Sequence, residues 1–212
     1  MSIISVVIIG VIYQLYKPVQ RLKVYQPNEF TKELVDSSLQ RVRKFHKISN
    51  FSLTNQYGEL VTENTFKDKI YITDFFFTTC QGICPIMTGH MKEIQDAYKD
   101  DQEVLLLSHT VTPSQDSVEV MYAYALKNKA IQGKWHMVTG DKKQIYELAR
   151  KSYFTTKTEG DAGKYDMIHT ENFLLIDKEK RIRGVYDGTK KEEVEKAIQD
   201  IAILKLEYTE QE

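Results

Sequence analysis

Residues 69–85 read KIYITDFFFTTCQGICP, and the chain organises itself around them. Lys69–Phe77 is a β-branched and aromatic run, the signature of a central strand buried on both faces. It ends at Thr78-Thr79-Cys80. Pro85, just after Cys84, suits a first helical turn, where its missing N–H is not needed. The following PIMTGHMKEIQDAYK continues as helix. Cys80 and Cys84 therefore stand where a buried strand hands over to a helix.

Upstream, Ile48–Thr54 and Glu59–Thr62 flank Asn55-Gln56-Tyr57-Gly58, a turn signal that predicts a small hairpin. Downstream, Val104–Ser108 reads as a second buried strand. Thr112-Pro113-Ser114-Gln115 has the form of a capping box and predicts a helix running to about Lys127. Trp135–Val138 is a short strand, and Asp141 opens a helix ending near Lys151. After a loop with Gly160 and Gly163, Glu171–Ile176 and Ile182–Tyr186 form a hairpin across the charged turn Asp177–Lys180. Thr189 and Glu192 suggest a capping box for a last amphipathic helix with Val194, Ile198, Ile201 and Leu204 on one side. Strand–helix alternation followed by a hairpin and helix predicts an α/β domain: a thioredoxin-like mixed sheet flanked by helices, with an added N-terminal β-hairpin. Residues 47–207 form that domain, and 208–212 a tail.

The N-terminal run IISVVIIGVIYQLY, residues 3–16, is nearly all apolar. As a helix it would span about 21 Å, short of a hydrocarbon core of about 30 Å. Residues 1–17 read as a hydrophobic anchor or signal segment, uncleaved because no small-residue cleavage site is evident. Residues 18–46 read as a polar tether. Lys17, Arg21 and Lys23 follow the run and no basic residue precedes it, which by the positive-inside rule argues against export of the domain. Orientation is therefore taken from the chemistry of the site.

Net charge is −1, from 29 basic and 30 acidic residues. No global field favours a polyanion, so no nucleic acid partner is expected. The two cysteines, three residues apart, are too few and too close for a disulfide scaffold and point to a chemical site. In open α/β sheets ligands collect beyond the carboxyl ends of the parallel strands. A helix start also favours thiolate there. Helical residues four apart have Cβ atoms about 5–6 Å apart, so both sulfurs can reach one metal. A disulfide prefers about 3.8 Å and needs slight tightening.

Two thiolates suit Cu(I), and an imidazole extends the preference toward Cu(II). His169 precedes the strand ENFLLID, expected antiparallel to the strand ending at Cys80, so the topology brings it to the same sheet edge. His109 ends VLLLSH at that edge and is a rival ligand. His46 reads as a solvated tether residue, His90 as structural on another helical face, and His136 as a packed or solvent-facing strand residue. Met87 and Met91, four apart, read as core. Zinc competes for the site, but no second close Cys/His pair supports a structural zinc.

FFFTTCQGICPIM, then SHTVTPSQDSV, WHMVTGD and MIHTENFLLID, together resemble the Sco/SenC family of copper-binding thioredoxin-like proteins over roughly residues 47–205. The resemblance implies Cys80 and Cys84 as thiolate ligands and His169 as the imidazole ligand. It further implies a membrane-anchored domain on the extracytoplasmic side. Such a domain assists assembly of the copper centre of cytochrome c oxidase by copper delivery, by reduction of target cysteines, or by both. Its partner would be a copper-receiving oxidase subunit or another copper protein. The chain departs from many members at Gln81, where proline is common, and at Ile168, where an aspartate often precedes the histidine. Two functions follow: a copper metallochaperone, and a membrane-tethered thiol–disulfide oxidoreductase in which Cys80 and Cys84 are the redox-active pair. A peroxidase or a purely structural thiol bridge ranks below both.

Overall fold

The computed structural model describes residues 20–35, 37–156, 160–163 and 165–210. The apolar run expected as an anchor lies outside them. Among the described residues no helix is long and apolar enough to cross a membrane.

The expected hairpin forms from β1 (Ser52–Asn55) and β2 (Leu60–Thr62). β3 (Ile70–Phe76) is followed by α1 (Cys84–Ala97), β4 (Val104–Thr110) and α2 (Val118–Lys127). Next come β5 (Trp135–Thr139) and α3 (Lys142–Glu147), which runs into a π-helical turn at Leu148–Ser152. The hairpin β6 (Asn172–Ile176) and β7 (Ile182–Asp187) precedes α4 (Lys191–Thr209). One mixed sheet holds all seven strands in the order β2-β1-β5-β4-β3-β6-β7. β3, β4 and β5 are parallel, while β6 runs antiparallel to β3.

Side chains alternate across β3 with period 2. Ile70, Ile72 and Phe76 enter one core with Met87, Met91, Met121 and Leu204 from α1, α2 and α4. Tyr71 and Phe75 enter the other with Ile145, Leu148, Tyr153 and Phe154. Both layers are needed to exclude water from the apolar run, and each such fully buried side chain stabilises by about 1.5–3 kcal/mol.

The segment expected as a tether lies against the domain from residue 22 onward. Tyr25 N donates to Ile182 O at 2.8 Å, and Arg183 donates to Leu22 O at 2.7 Å and to Lys23 O at 3.2 Å. Arg183 also pairs with Glu207 at 2.5 Å and Asp177 at 3.2 Å, all three side chains being buried. Val35 is buried in the same core as Ile48 and Phe154. His46, expected in solvent, donates from Nε2 to Ser152 O at 2.8 Å and packs on Phe154 with ring centroids 4.6 Å apart. Burial holds its pKa below the usual imidazole value.

Two helix starts differ from the capping patterns read in the sequence. α2 begins at Val118, capped by Ser117, whose Oγ accepts from Val120 N. Thr112 instead heads a turn, accepting from Gln115 N and Asp116 N. It donates its hydroxyl to the Asp116 carboxylate at 2.9 Å. Thr110 Oγ1 donates to the same carboxylate, as does Thr78 Oγ1 at 2.5 Å. Asp116 is fully buried and so ties the segment before Cys80 to the end of β4. At α4 the cap position is Lys190 without a side-chain bond, because Thr189 Oγ1 is spent on Asp187 at 2.6 Å. Asp141 caps α3 as read, accepting from Lys143 N.

A second buried carboxylate lies in β3. Asp74 accepts from Ser108 Oγ at 2.5 Å, and Ser108 Oγ accepts from Trp135 Nε1 at 2.9 Å, a chain across three parallel strands. Burial pushes the Asp74 pKa up to about 7, only partly offset by the Ser108 bond.

Two outcomes follow. Asp116→Ala leaves three threonine hydroxyls without their acceptor, and is expected to cost roughly 3 kcal/mol in urea unfolding. Asp74 works with the opposite sign. Below pH about 4 both folded and unfolded chains hold its proton. Between about 4 and 7 the unfolded chain releases it while the fold retains it, so stability falls by at most on the order of 4 kcal/mol. Asp74→Asn should therefore raise the urea midpoint at pH 8 and leave it little changed at pH 4; an equal gain at both would refute this assignment.

Candidate metal centre

The register of β6 against β3 decides where His169 falls. Tyr71 faces Ile176 and Thr73 faces Leu174, so continuing the ladder sets Asn172 beside Phe75. His169 lies beyond that point, at the level where β3 gives way to Thr78 and Cys80. The imidazole is exposed and stands edge-on to Phe77, with ring centroids 6.2 Å apart.

Cys80 sits in a tight turn, its N–H donating to Phe77 O at 3.3 Å. Cys84 opens α1, with Pro85 in the first turn. Both are free thiols, Cys80 half-buried and Cys84 buried. They are chemically unequal. Burial pushes Cys80 up, but the Cys84 thiol and the backbone amides of Cys84, Gly82 and Ile83 hydrogen-bond its sulfur, and together they bring it below the usual thiol value. That is the stabilisation a helix start gives an anion. Burial pushes Cys84 up to about 12, reinforced by donation of its own hydrogen to Cys80 and by the negative charges of Cys80 and Asp74. Cys80 is thus the more acidic thiol and Cys84 the one that holds its proton.

Cys80, Cys84 and His169 line one cleft, walled by the apolar side chains of Phe75, Phe77, Ile83, Val111 and Ile168. Its volume of about 30 Å³ accommodates one water-sized occupant, since a water needs roughly 10–15 Å³ by this measure. Wider clefts beside Arg150, Arg183 and Ser152 contain neither cysteine nor histidine. The donors share the cleft without having closed on a common point. No group of three His, Cys, Asp or Glu side chains among the described residues is close enough to hold an ion. The two sulfurs and an imidazole fit a soft metal in type and number.

His109, the rival ligand, is not part of this cleft. It is fully buried on the other side of Phe75, stacked on that ring with centroids 4.8 Å apart. Its Nδ1 lies 3.2 Å from Thr73 Oγ1. Burial depresses its pKa to about 4, so it stays neutral. The strand-end rule placed it at the correct edge, but it stands two residues short of Val111 on the face it shares with Phe75, packed into the core against Phe51 and Tyr153. His90 Nδ1 meets Gly188 O at 2.7 Å, a structural role as read. His136 is buried against Asn55, and Met87 and Met91 are core. Asp116 and Asp74 went unread as site-shaping residues. The only signal was an acid set in or beside an otherwise apolar strand.

A model of the SCO1/SenC family matches residues 40–205. Among solved structures, a SCO1/SenC family lipoprotein from Bacillus anthracis str. Ames is 28% identical, with TM-score 0.66, covering 75% of this chain and 95% of that one. BsSco, described as a member of the Sco family of cytochrome c oxidase assembly proteins and as having a disulfide switch, is 26% identical. It has TM-score 0.64 and covers 74% of this chain and 92% of its own. Arabidopsis thaliana ScoI with copper bound is 25% identical, with TM-score 0.57, covering 73% and 97%. These matches embrace the whole sheet and both sides of the cleft, and the chain belongs to the SCO1/SenC family.

Proposed function

We propose that this protein carries copper. Cys80, Cys84 and His169 take up the ion in their shared cleft and release it, by ligand exchange, to the copper-receiving subunit of a respiratory oxidase. The observation that carries this reading is that both thiols and the imidazole wall a cleft of single-ion size. Copper bound to Arabidopsis ScoI supports the choice of metal, and the description of BsSco supports the oxidase as destination. Around the cleft, Ile83 and Ile86 are exposed apolar side chains, as is Met167 two residues before His169. Such a rim suits transient docking of a partner that brings its own ligands. The lipoprotein description of the B. anthracis relative supports a domain held at a membrane, here by residues 1–17, on the extracytoplasmic side.

A second reading rests on the inequality of the thiols. The Cys80 thiolate attacks a partner's disulfide, forming a mixed disulfide and releasing one partner thiolate. Cys84 gives up its proton, attacks Cys80 sulfur and releases the second, leaving a Cys80–Cys84 disulfide. Two electrons pass to the partner. The disulfide switch described for BsSco supports this capability.

Copper titration separates the readings. His169→Ala should lower copper affinity tenfold or more, about 1.4 kcal/mol, and weaken the sulfur-to-Cu(II) absorption. Cys80→Ser/Cys84→Ser should abolish binding, and wild-type affinity no higher than that of this variant would sink the carrier reading. Disulfide reduction that survives His169→Ala but not Cys80→Ser would favour the second reading.

The thiols themselves give a further check. In the reduced, metal-free protein, iodoacetamide should label Cys80 first, its rate levelling off at lower pH than for a free thiol. Cys84 should react only near the top of the accessible pH range or after unfolding. Peptide mass spectrometry reads the order, and equal labelling at pH 7 would contradict the asymmetry.

A further inference from the structure

Residues 41–47, RVRKFHK, carry Arg41, Arg43, Lys44 and Lys47 and no acid. All four cations are exposed, and none has an ion-pair partner among the described residues. Between them Phe45 is 90% exposed, the largest uncovered ring of the domain apart from Tyr165. Its backbone has φ 68, in the left-handed region that a bulky residue rarely occupies. The loop is nonetheless fastened on both sides. Val42 O accepts from Asn28 N at 3.3 Å, His46 bonds Ser152 O, and Ile48 N donates to Lys180 O at 2.8 Å. An exposed apolar ring on a strained but tethered backbone, ringed by free cations, satisfies nothing within the domain.

Its place in the fold is informative. Lys180 lies in the turn after β6, at the opposite end of the sheet from the cleft, and β3 spans about 20 Å between the two ends. Leu22, Lys23 and Tyr25 are bound to Ile182 and Arg183 at that same end. The chain coming from the apolar run 3–16 therefore enters beside this loop. Residues 17–47 hold eight Lys or Arg against three acids, and one of these acids, Glu29, is paired with Lys23 at 2.8 Å.

We propose that residues 41–47 form a docking loop for an anionic lipid surface, Arg41, Arg43, Lys44 and Lys47 meeting lipid phosphates while Phe45 enters the headgroup–acyl boundary. Cationic residues gain from a negative leaflet, and an aromatic ring among them adds apolar burial. A fluid surface needs no socket for the ring, whereas an acidic protein face would have to supply one. Docked this way, the sheet stands with its cleft at the end away from the lipid, turned toward partners.

The test uses the full chain bearing Phe45→Trp in nanodiscs of phosphatidylcholine alone or with phosphatidylglycerol, so that the N-terminal run is common to both. Trp135, the other tryptophan, is buried and is subtracted with the wild type. On anionic discs Trp emission should shift to the blue and be quenched by brominated acyl chains. Both effects should fade in high salt and vanish with R41E/R43E/K44E, while urea unfolding of that variant stays unchanged. Quenching that is absent, equal on neutral discs, or retained by the triple variant overturns the proposal. Protection by added polyglutamate without any lipid quenching also overturns it, in favour of an acidic protein partner. The readout involves no copper, so it stands apart from the carrier reading.

Discussion

The antiparallel seating of β6 against β3 is the constraint on which the site depends. Cys80 and His169 lie more than eighty residues apart in the chain, and only this ladder brings them to one edge. The seating is held from both faces. Phe173 and Leu175 enter the core beneath α1 and α4, while Leu174 and Ile176 enter the opposite core, each fully buried. A slip of one residue would exchange these two sets and expose neither to water, but would leave each mismatched to its core. It would also carry His169 away from the thiols. Packing of four apolar side chains thus sets the position of a polar one they do not touch.

The second constraint acts on the sulfurs. Backbone amides at the start of α1 converge on Cys80, while the depth of Cys84 beside Met87 and Phe76 keeps its proton in place. The Asp116 carboxylate holds Thr78 from the other side through its hydroxyl and its N–H. The approach to Cys80 is therefore clamped between a helix start and a buried anion. The Asp116 contact depends on Thr78, and the helix-start contact on the short segment between Cys80 and Cys84.

What could be read in the sequence follows from which forces were local. The apolar runs Lys69–Phe77 and Val104–Ser108, and the turn Asn55–Gly58, announce strands and a hairpin by composition alone, and all appear. Proximity in sequence suffices to bring Cys80 and Cys84 together, and strand direction to bring His169 to the same cleft. Three readings failed where a side chain had a better partner than the expected one, close in sequence for the two threonines and remote for His46. Thr112 resembles a helix cap, yet its hydroxyl goes to Asp116. Thr189 likewise goes to Asp187. His46 looks solvated, yet Ser152 O and the Phe154 ring, both remote in sequence, take it up. His109 shows the limit of a different rule: the strand-end argument fixes the edge and the pleat the face, but two residues of depth set His109 in the core behind Phe75 and not in the cleft.

The two proposed activities, cargo binding and thiol exchange, would draw on the same two sulfurs and so compete for one cleft. Oxidation to a Cys80–Cys84 disulfide removes both soft donors at once, so only the reduced protein can hold copper through sulfur. The reduced state is itself unequal. On the proposed carrier reading, copper would have to displace a proton from Cys84, whose pKa burial pushes up to about 12, and that displacement would subtract from the affinity two free thiolates would show. Cys80, with its pKa below the usual thiol value, would impose a smaller cost. The fold thus offers two sulfurs of unequal acidity and an exposed imidazole at one cleft. A storage site would bury all its donors ready-ionised. A site that surrenders an ion, as proposed here, would benefit from a donor that readily takes its proton back, which the burial of Cys84 favours.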